Sequence, residues 1–167
     1  MPNTFELIAS STVGAGGAAG INFTSIPATY TDLCVKYSIR NTAAEIWIAL
    51  ELNNSGSNFS VRWLQGSGAA ASSANYSTNG YEGYSNLSTY TASTFSNGEL
   101  YFPNYAGSTN KSFSGDMVVE NNATTSYVQM NANLWSNTAA INQIYLKATT
   151  GSFAQYSTAY LYGVKNA

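Results

Sequence analysis

The residues of this sequence that come closest to a chemical motif are the glycines of "VGAGGAAG", residues 13–20. Gly14 and Gly16 have the spacing of a dinucleotide-binding loop, and Asp32 follows as an acid that would bind a ribose. Such a loop must open a helix, because amides at the helix N-terminus hold the pyrophosphate. The next residues are "INFTSIPATYTDL", with β-branched side chains and Pro27 but no helical spacing of apolar residues. We therefore expect no cofactor, and interpret the glycines as a flexible connection between two strands.

Side chains suited to catalysis are few. The chain has no histidine and a single cysteine, Cys34, which excludes Ser-His-Asp and Cys-His machinery, an internal disulfide and zinc sites of several Cys and His. A glycosidase needs only two carboxylates, but Asp116 and Glu120 lie roughly 13 Å apart along one expected strand, beyond the usual separation. An enzyme would require an acid pair from distant strands, and the sequence identifies none. We expect neither an enzyme nor a metal site.

Charge is scarce, which limits the classes of partner. Lys and Arg total six and Asp and Glu total eight, so charged residues make up 8% of 167 residues. No strong field exists to attract nucleic acid or an anionic membrane surface. The first residues lack a basic segment followed by an apolar core, and no apolar run is long enough to span a bilayer. We expect a protein made in the cytoplasm without a signal peptide, which binds neither nucleic acid nor membrane.

Apolar and polar residues alternate in several short segments, as in strands with one buried face. Examples are "FELIAS", "TDLCVKYSIR" and "AEIWIALEL", and the last of these places Ile46, Ile48, Leu50 and Leu52 inward. Turn formers such as "NTAA" and "NNSGSN" separate the segments. The pattern predicts one all-β domain over residues 1–167, a jelly-roll-like antiparallel β-sandwich of about ten short strands.

Residues 66–97 differ from the rest, with weak periodicity and a dense mixture of Ser, Gly, Asn and Tyr. One interpretation is an irregular excursion with one or two strands. The other is a binding surface, in which tyrosines provide rigid contact area while small polar residues adapt around them. The candidate interface or glycan contacts, including two tyrosines that follow this segment, are Tyr76, Tyr81, Tyr84, Tyr90, Tyr101 and Tyr105.

Two blocks, "INFTSIPATYTDLCVKYSIR" and "INQIYLKATTGSFAQYSTAYLYGVKNA", resemble segments of small β-rich virion proteins of tailed bacteriophages, particularly marine and cyanobacterial phages. In that group a Ser-Ile-Pro segment and a Tyr-Thr-Asp-Leu strand open the domain, and a Ser-Ala-x-Leu-Tyr-Gly-like strand closes it. The matching residues here are Ser25, Ile26, Pro27, Tyr30, Thr31, Asp32 and Leu33, then Thr158, Ala159, Leu161, Tyr162 and Gly163. Thr158 stands where the group has serine, and residues 66–110 are unmatched.

The resemblance implies a structural protein of the virion. Its leading form is a capsid decoration or cement protein that binds the major capsid protein and further copies of itself, including a trimer. The alternative is a tail or fibre component that binds host-surface glycans, through the candidate tyrosines or Trp47, Trp63 and Trp135. A polysaccharide depolymerase is the third hypothesis.

Overall fold

The computed structural model describes residues 4–44, 47–77, 80–122 and 126–165, and in these ranges the protein has no helix. The predicted all-β class is confirmed. The strands are β1 (Phe5–Thr12), β2 (Gly20–Phe23), β3 (Asp32–Ile39), β4 (Trp47–Leu52), β5 (Phe59–Gly66), β6 (Ala71–Tyr76), β7 (Gly80–Tyr84), β8 (Ser96–Phe102), β9 (Lys111–Glu120), β10 (Ser126–Trp135), β11 (Ile144–Ala148) and β12 (Thr158–Val164).

The strands form two antiparallel sheets that pack face to face as a β-sandwich. The large sheet has eight strands in the order β1-β12-β3-β8-β9-β10-β5-β6, and the small sheet has four in the order β2-β11-β4-β7. Side chains alternate between the faces of each strand. β9 shows this most regularly, since every second residue from Lys111 to Val119 is buried and those between are exposed.

The pairing has a nested order. β4 pairs with β7, β3 with β8, β2 with β11 and β1 with β12, as if one long hairpin had been folded over itself. Two hairpins, β5–β6 and β9–β10, interrupt this series and extend the large sheet beyond β8. The large sheet therefore projects past the small sheet, whose edge strand β7 contacts β9 and β5.

The core lies between the sheets and is rich in aromatic residues. Phe59 and Trp135 stack with ring centroids 6.4 Å apart, and Phe102 and Phe113 stack at 4.6 Å. Each such pair contributes about 0.5–1.5 kcal/mol beyond the burial of its surface. The three inward residues of β4 that the structure describes, Ile48, Leu50 and Leu52, belong to the same buried cluster. Ile46, predicted to be their neighbour, lies outside the described residues.

The glycine-rich segment connects β1 to β2, as predicted. Gly17 has a φ of +71°, and a Cβ there would stand 3.1 Å from the carbonyl oxygen of Phe153. At Gly20 a Cβ would overlap the carbonyl oxygen of Leu146, because β2 and β11 approach closely. The glycines allow a left-handed turn and close contact between backbones. Where a phosphate-binding helix would begin, the chain enters β2.

The structure differs from the predicted pattern at β1. Alternation predicts one buried face for "FELIAS", yet Phe5 and Leu7 are exposed, and a bulge between Leu7 and Ala9 shifts the register of β1. β1 is an edge strand, and it reaches the core only in its later part, where Ile8 and Ala9 pack against the buried cluster. Within residues 66–97 the chain forms β6 and β7, and β8 begins at Ser96.

Candidate interaction surfaces

Three of the six candidate tyrosines meet in one place. Tyr76 of β6, Tyr84 of β7 and Tyr90 of the next loop join Trp47 and Tyr127 in what we call the aromatic cluster. Tyr84 is buried and the other four are half-buried. The prediction grouped these tyrosines by sequence proximity. Trp47 and Tyr127 come from distant strands and could not be placed beside them before the fold was known.

The rings of the aromatic cluster are fixed by edge contacts. The ring centroids of Trp47 and Tyr84 lie 4.7 Å apart, those of Tyr84 and Tyr127 lie 4.9 Å apart, and Trp47 meets Tyr76 at 6.0 Å with an interplanar angle of 88°. Tilted and edge-to-face contacts are favourable geometries for aromatic pairs. Burial raises the pKa of Tyr84 to about 12. The cluster is thus a group of rings that pack on one another, and four of the five are half-buried.

Arg40 anchors the loop that carries Tyr90. Its Nη1 donates to the carbonyl oxygens of Thr91 and Thr94, both at 2.9 Å, and its Nη2 donates to that of Tyr90 at 3.0 Å. The rigid fork of the guanidinium suits several acceptors held in one plane. Arg40 could not be predicted to have this role, because its partners are main-chain carbonyls that no residue type indicates.

Tyr101 and Tyr105 do not join this cluster. The hydroxyl of Tyr101 donates to a carboxylate oxygen of Asp32 at 2.6 Å, and this bond raises the pKa of Tyr101 to about 12. Tyr105 is 0% exposed, and its hydroxyl donates to the carbonyl oxygen of Pro27. Tyr105 is therefore a core residue rather than a surface contact. The side chain of Tyr81 lies outside the described residues. Of the tryptophans considered for glycan binding, Trp135 is fully buried in the core.

A second surface arises because β10, apart from Trp135 at its end, has its apolar residues on the outer face. Gln129 and Asn133 face the interior with exposures of 2% and 3%, whereas Val128 and Met130 are 55% and 64% exposed. Burying amides while exposing apolar side chains reverses the usual amphipathic strand. Alternation along β10 does not by itself show which face is buried, so this inversion could not be predicted from the sequence.

The exposed apolar residues are contiguous on the outer face of the large sheet. Val128 of β10 lies opposite Val118 of β9, and Met130 lies opposite Leu64 of β5. Val118 and Leu64 are 39% and 56% exposed. We call these four residues the apolar patch. Neighbouring apolar side chains on a surface mark sites of interaction more often than scattered ones do.

Charged residues of both signs border the apolar patch. Asp116 lies opposite Met130 on one side, and Arg62 precedes Leu64 by two residues on the other. A groove of about 380 Å³ runs between Arg62, Leu64, Met130 and Ala132. The patch therefore offers an apolar centre with a polar rim, which is the anatomy of a protein interface.

The same face brings together two carboxylates from separate strands. Glu99 of β8 lies directly opposite Asp116 of β9, beside a small groove of about 130 Å³. The sequence named no such pair, since cross-strand register cannot be derived from spacing along one strand. Lys36 donates to a carboxylate oxygen of Glu99, so part of the charge is compensated by an ion pair. Such a pair on an exposed face ordinarily contributes little to stability.

The outer face of the small sheet has a shallow groove of about 310 Å³. It is lined by the small residues Ala49, Gly56 and Gly80, and Glu51 and Lys147 form an ion pair of 3.1 Å at its side.

The single cysteine, Cys34, is buried, and desolvation raises the pKa of its thiol to about 11. Within the described ranges no group of three or more Cys, Asp or Glu is arranged to hold a metal ion.

Comparison with family models, curated proteins and solved structures finds no match for this chain. In the described part of the chain, no helix has the length and hydropathy needed to cross a membrane. Functional inference therefore depends on the two surfaces themselves, the aromatic cluster and the apolar patch.

Proposed function

We propose that the protein is a structural component of a phage virion, a capsid decoration or cement protein that binds the shell through the apolar patch. The observation that carries the proposal is the inverted strand β10. Val128 and Met130 are exposed to solvent, whereas Gln129 and Asn133 of the same strand are buried. An arrangement of this kind has a physical purpose when a partner covers the exposed face.

The strand order supports the proposal. Without the β5–β6 and β9–β10 hairpins, eight strands remain in two sheets, β1-β12-β3-β8 and β2-β11-β4-β7. We infer that this nested order is a jelly roll, an architecture used by viral capsid proteins but also by lectins and cupins. Fold alone does not determine function. The jelly roll agrees with a virion role, and the apolar patch gives that role a binding surface.

Composition supports it as well. A particle protein must survive outside the cell, and this chain has no histidine and one buried cysteine. The chain therefore lacks the side chain whose ordinary pKa lies near 7 and whose charge would change with a moderate change of pH. It also has no internal disulfide that reduction could break. Binding to a shell would bury an interface on this protein and would need no cofactor.

Co-sedimentation with capsid shells that lack the protein tests the proposal. The native chain should bind, and Met130→Glu should weaken binding at least about tenfold, because a charge would be buried in an apolar contact. Tyr156→Glu is the matched control, since Tyr156 is 67% exposed but lies outside the patch. No binding by the native chain, or equal binding by the Met130→Glu variant, would refute the proposal. Cryo-EM of the parent particle would locate the protein directly.

The aromatic cluster favours one alternative, a tail or fibre component that binds host-surface glycans. Half-buried rings such as Trp47 and Tyr90 present edges and partial faces that can pack against a sugar. A glycan array distinguishes the two functions, because a cement protein should bind no glycan. If glycans bind, Tyr90→Ala should reduce the signal, whereas Tyr160→Ala, which alters an exposed tyrosine outside the cluster, should not.

A further inference from the structure

Among the described strands, four lie at sheet edges, and three of these carry features that hinder pairing with another strand. β1 has a bulge and the charged Glu6, which pairs with Lys165 at 2.7 Å. β2 has only four residues. β7 is interrupted by a bulge in its pairing with β4, and it packs against the large sheet. Short length, charge, bulges and coverage are the devices by which proteins protect sheet edges.

The fourth edge strand, β6, lacks these devices. Its sequence is "ASSANY", with no charge, proline or glycine, and its pairing with β5 is regular along its whole length. Residues 71–75 are exposed whichever face they point to, so neither layer of the sandwich covers them. The whole of residues 63–81 is free of charged residues.

Ordering such a strand costs conformational entropy that its few side-chain contacts do not offset. Fixing each residue costs about 1–2 kcal/mol of conformational entropy, and small exposed side chains recover little by burial. A second strand on the open edge would add a ladder of hydrogen bonds and cover the backbone groups that face away from β5.

We propose that β6 pairs with β6 of a second copy of this chain, antiparallel and about a two-fold axis perpendicular to the sheet. In this register Ser73 lies opposite Ser73 of the other copy, and Ala71 lies opposite Asn75. A two-fold contact is self-complementary and closed, so it ends at a dimer. Because the strand is uncharged, its self-pairing places no like charges opposite one another. A charged edge strand that paired with its own copy would bring like charges together.

The pairing would join the two large sheets into one and place both apolar patches on the same face. Leu64 is one strand from the edge, so the two copies of Leu64 would stand about 14 Å apart, three strand spacings of about 4.8 Å each. The use of this doubled face to bind a shell rests on the proposed function. The self-association goes beyond that function and can be measured without a shell.

Sedimentation of the purified full chain over a range of concentrations tests the dimer. We expect a species of twice 17.8 kDa that dissociates on dilution. Ser73→Lys and Ser73→Asp should each raise the dimer dissociation constant at least about tenfold, because like charges would meet at the axis. An equal mixture of the two variants should restore dimers, since opposite charges then face each other.

Ser10→Lys is the matched control, because Ser10 is an exposed serine on β1, at the other edge of the same sheet. This substitution should leave the dimer unchanged. Thermal unfolding of every variant verifies that it folds. A monomer at all concentrations, a trimer, or a Ser73→Lys variant that dimerises like the native chain would overturn the inference. A dimer that does not bind shells would instead refute the proposed function, and a monomer that binds them would refute only the pairing.

Discussion

Replacing Tyr105 by phenylalanine tests whether this tyrosine belongs to the core or to a contact surface. The ring is completely buried, and its hydroxyl donates to the carbonyl oxygen of Pro27 and accepts a long bond of 3.4 Å from the amide of Tyr30. The substitution keeps the ring and removes only the hydroxyl. The carbonyl then loses its donor, which costs about 1–3 kcal/mol when no water can replace it.

For a domain of this size, each kcal/mol lowers the midpoint of thermal unfolding by about 2–4 °C. We therefore expect the Tyr105→Phe variant to unfold about 2–12 °C below the native protein in a calorimetric scan, with shell binding unchanged once it is folded. Tyr156→Phe removes a hydroxyl from an exposed tyrosine and should change the stability by less than about 0.5 kcal/mol. Equal midpoints for both variants, or loss of binding in the folded Tyr105→Phe variant, would refute the core assignment.

Three further results are expected. Gly20→Ala should destabilise the protein by about 1–3 kcal/mol or more in urea denaturation, since its Cβ meets the backbone of β11, whereas Gly14→Ala, which meets nothing within 4 Å, should be nearly neutral. The thiol of Cys34, with its pKa raised to about 11, should resist a thiol reagent at pH 8 until urea unfolds the chain; rapid labelling of the folded protein would contradict its burial. Tyr84 and Tyr101 both have a pKa raised from 10 to about 12, so the folded state retains protons that the unfolded state loses. Stability should accordingly fall as pH rises from 10 to 12, and a flat urea midpoint over that range would contradict these shifts.

The fold was largely predictable because apolar and polar residues alternate along the core strands, and the apolar ones are the buried ones. In β3 and β4 every apolar position that the alternation placed inward and that the structure describes is buried. The glycine segment was predictable for a related reason, since the residues after it excluded a helix. Fold class thus follows from local pattern wherever one face of a strand meets the core.

The surfaces were less predictable because they depend on cross-strand register. Tyr105 and Tyr84 have the same residue type as Tyr90, but whether a tyrosine is buried depends on which layer covers it. The four residues of the apolar patch come from three strands, and no spacing along the chain brings them together. In β10 the apolar parity faces outward, so a prediction from hydrophobicity alone would assign the wrong face.

The nested pairing also determines how the molecule would respond to mechanical force. β1 and β12 are antiparallel neighbours, and Phe5 lies opposite Val164 at one end of their ladder. Tension applied to these two residues would open the ladder one hydrogen-bonded pair at a time, like a zipper, rather than shear all the bonds together. Traction on the two terminal strands should therefore open the protein from the β1 edge of the large sheet.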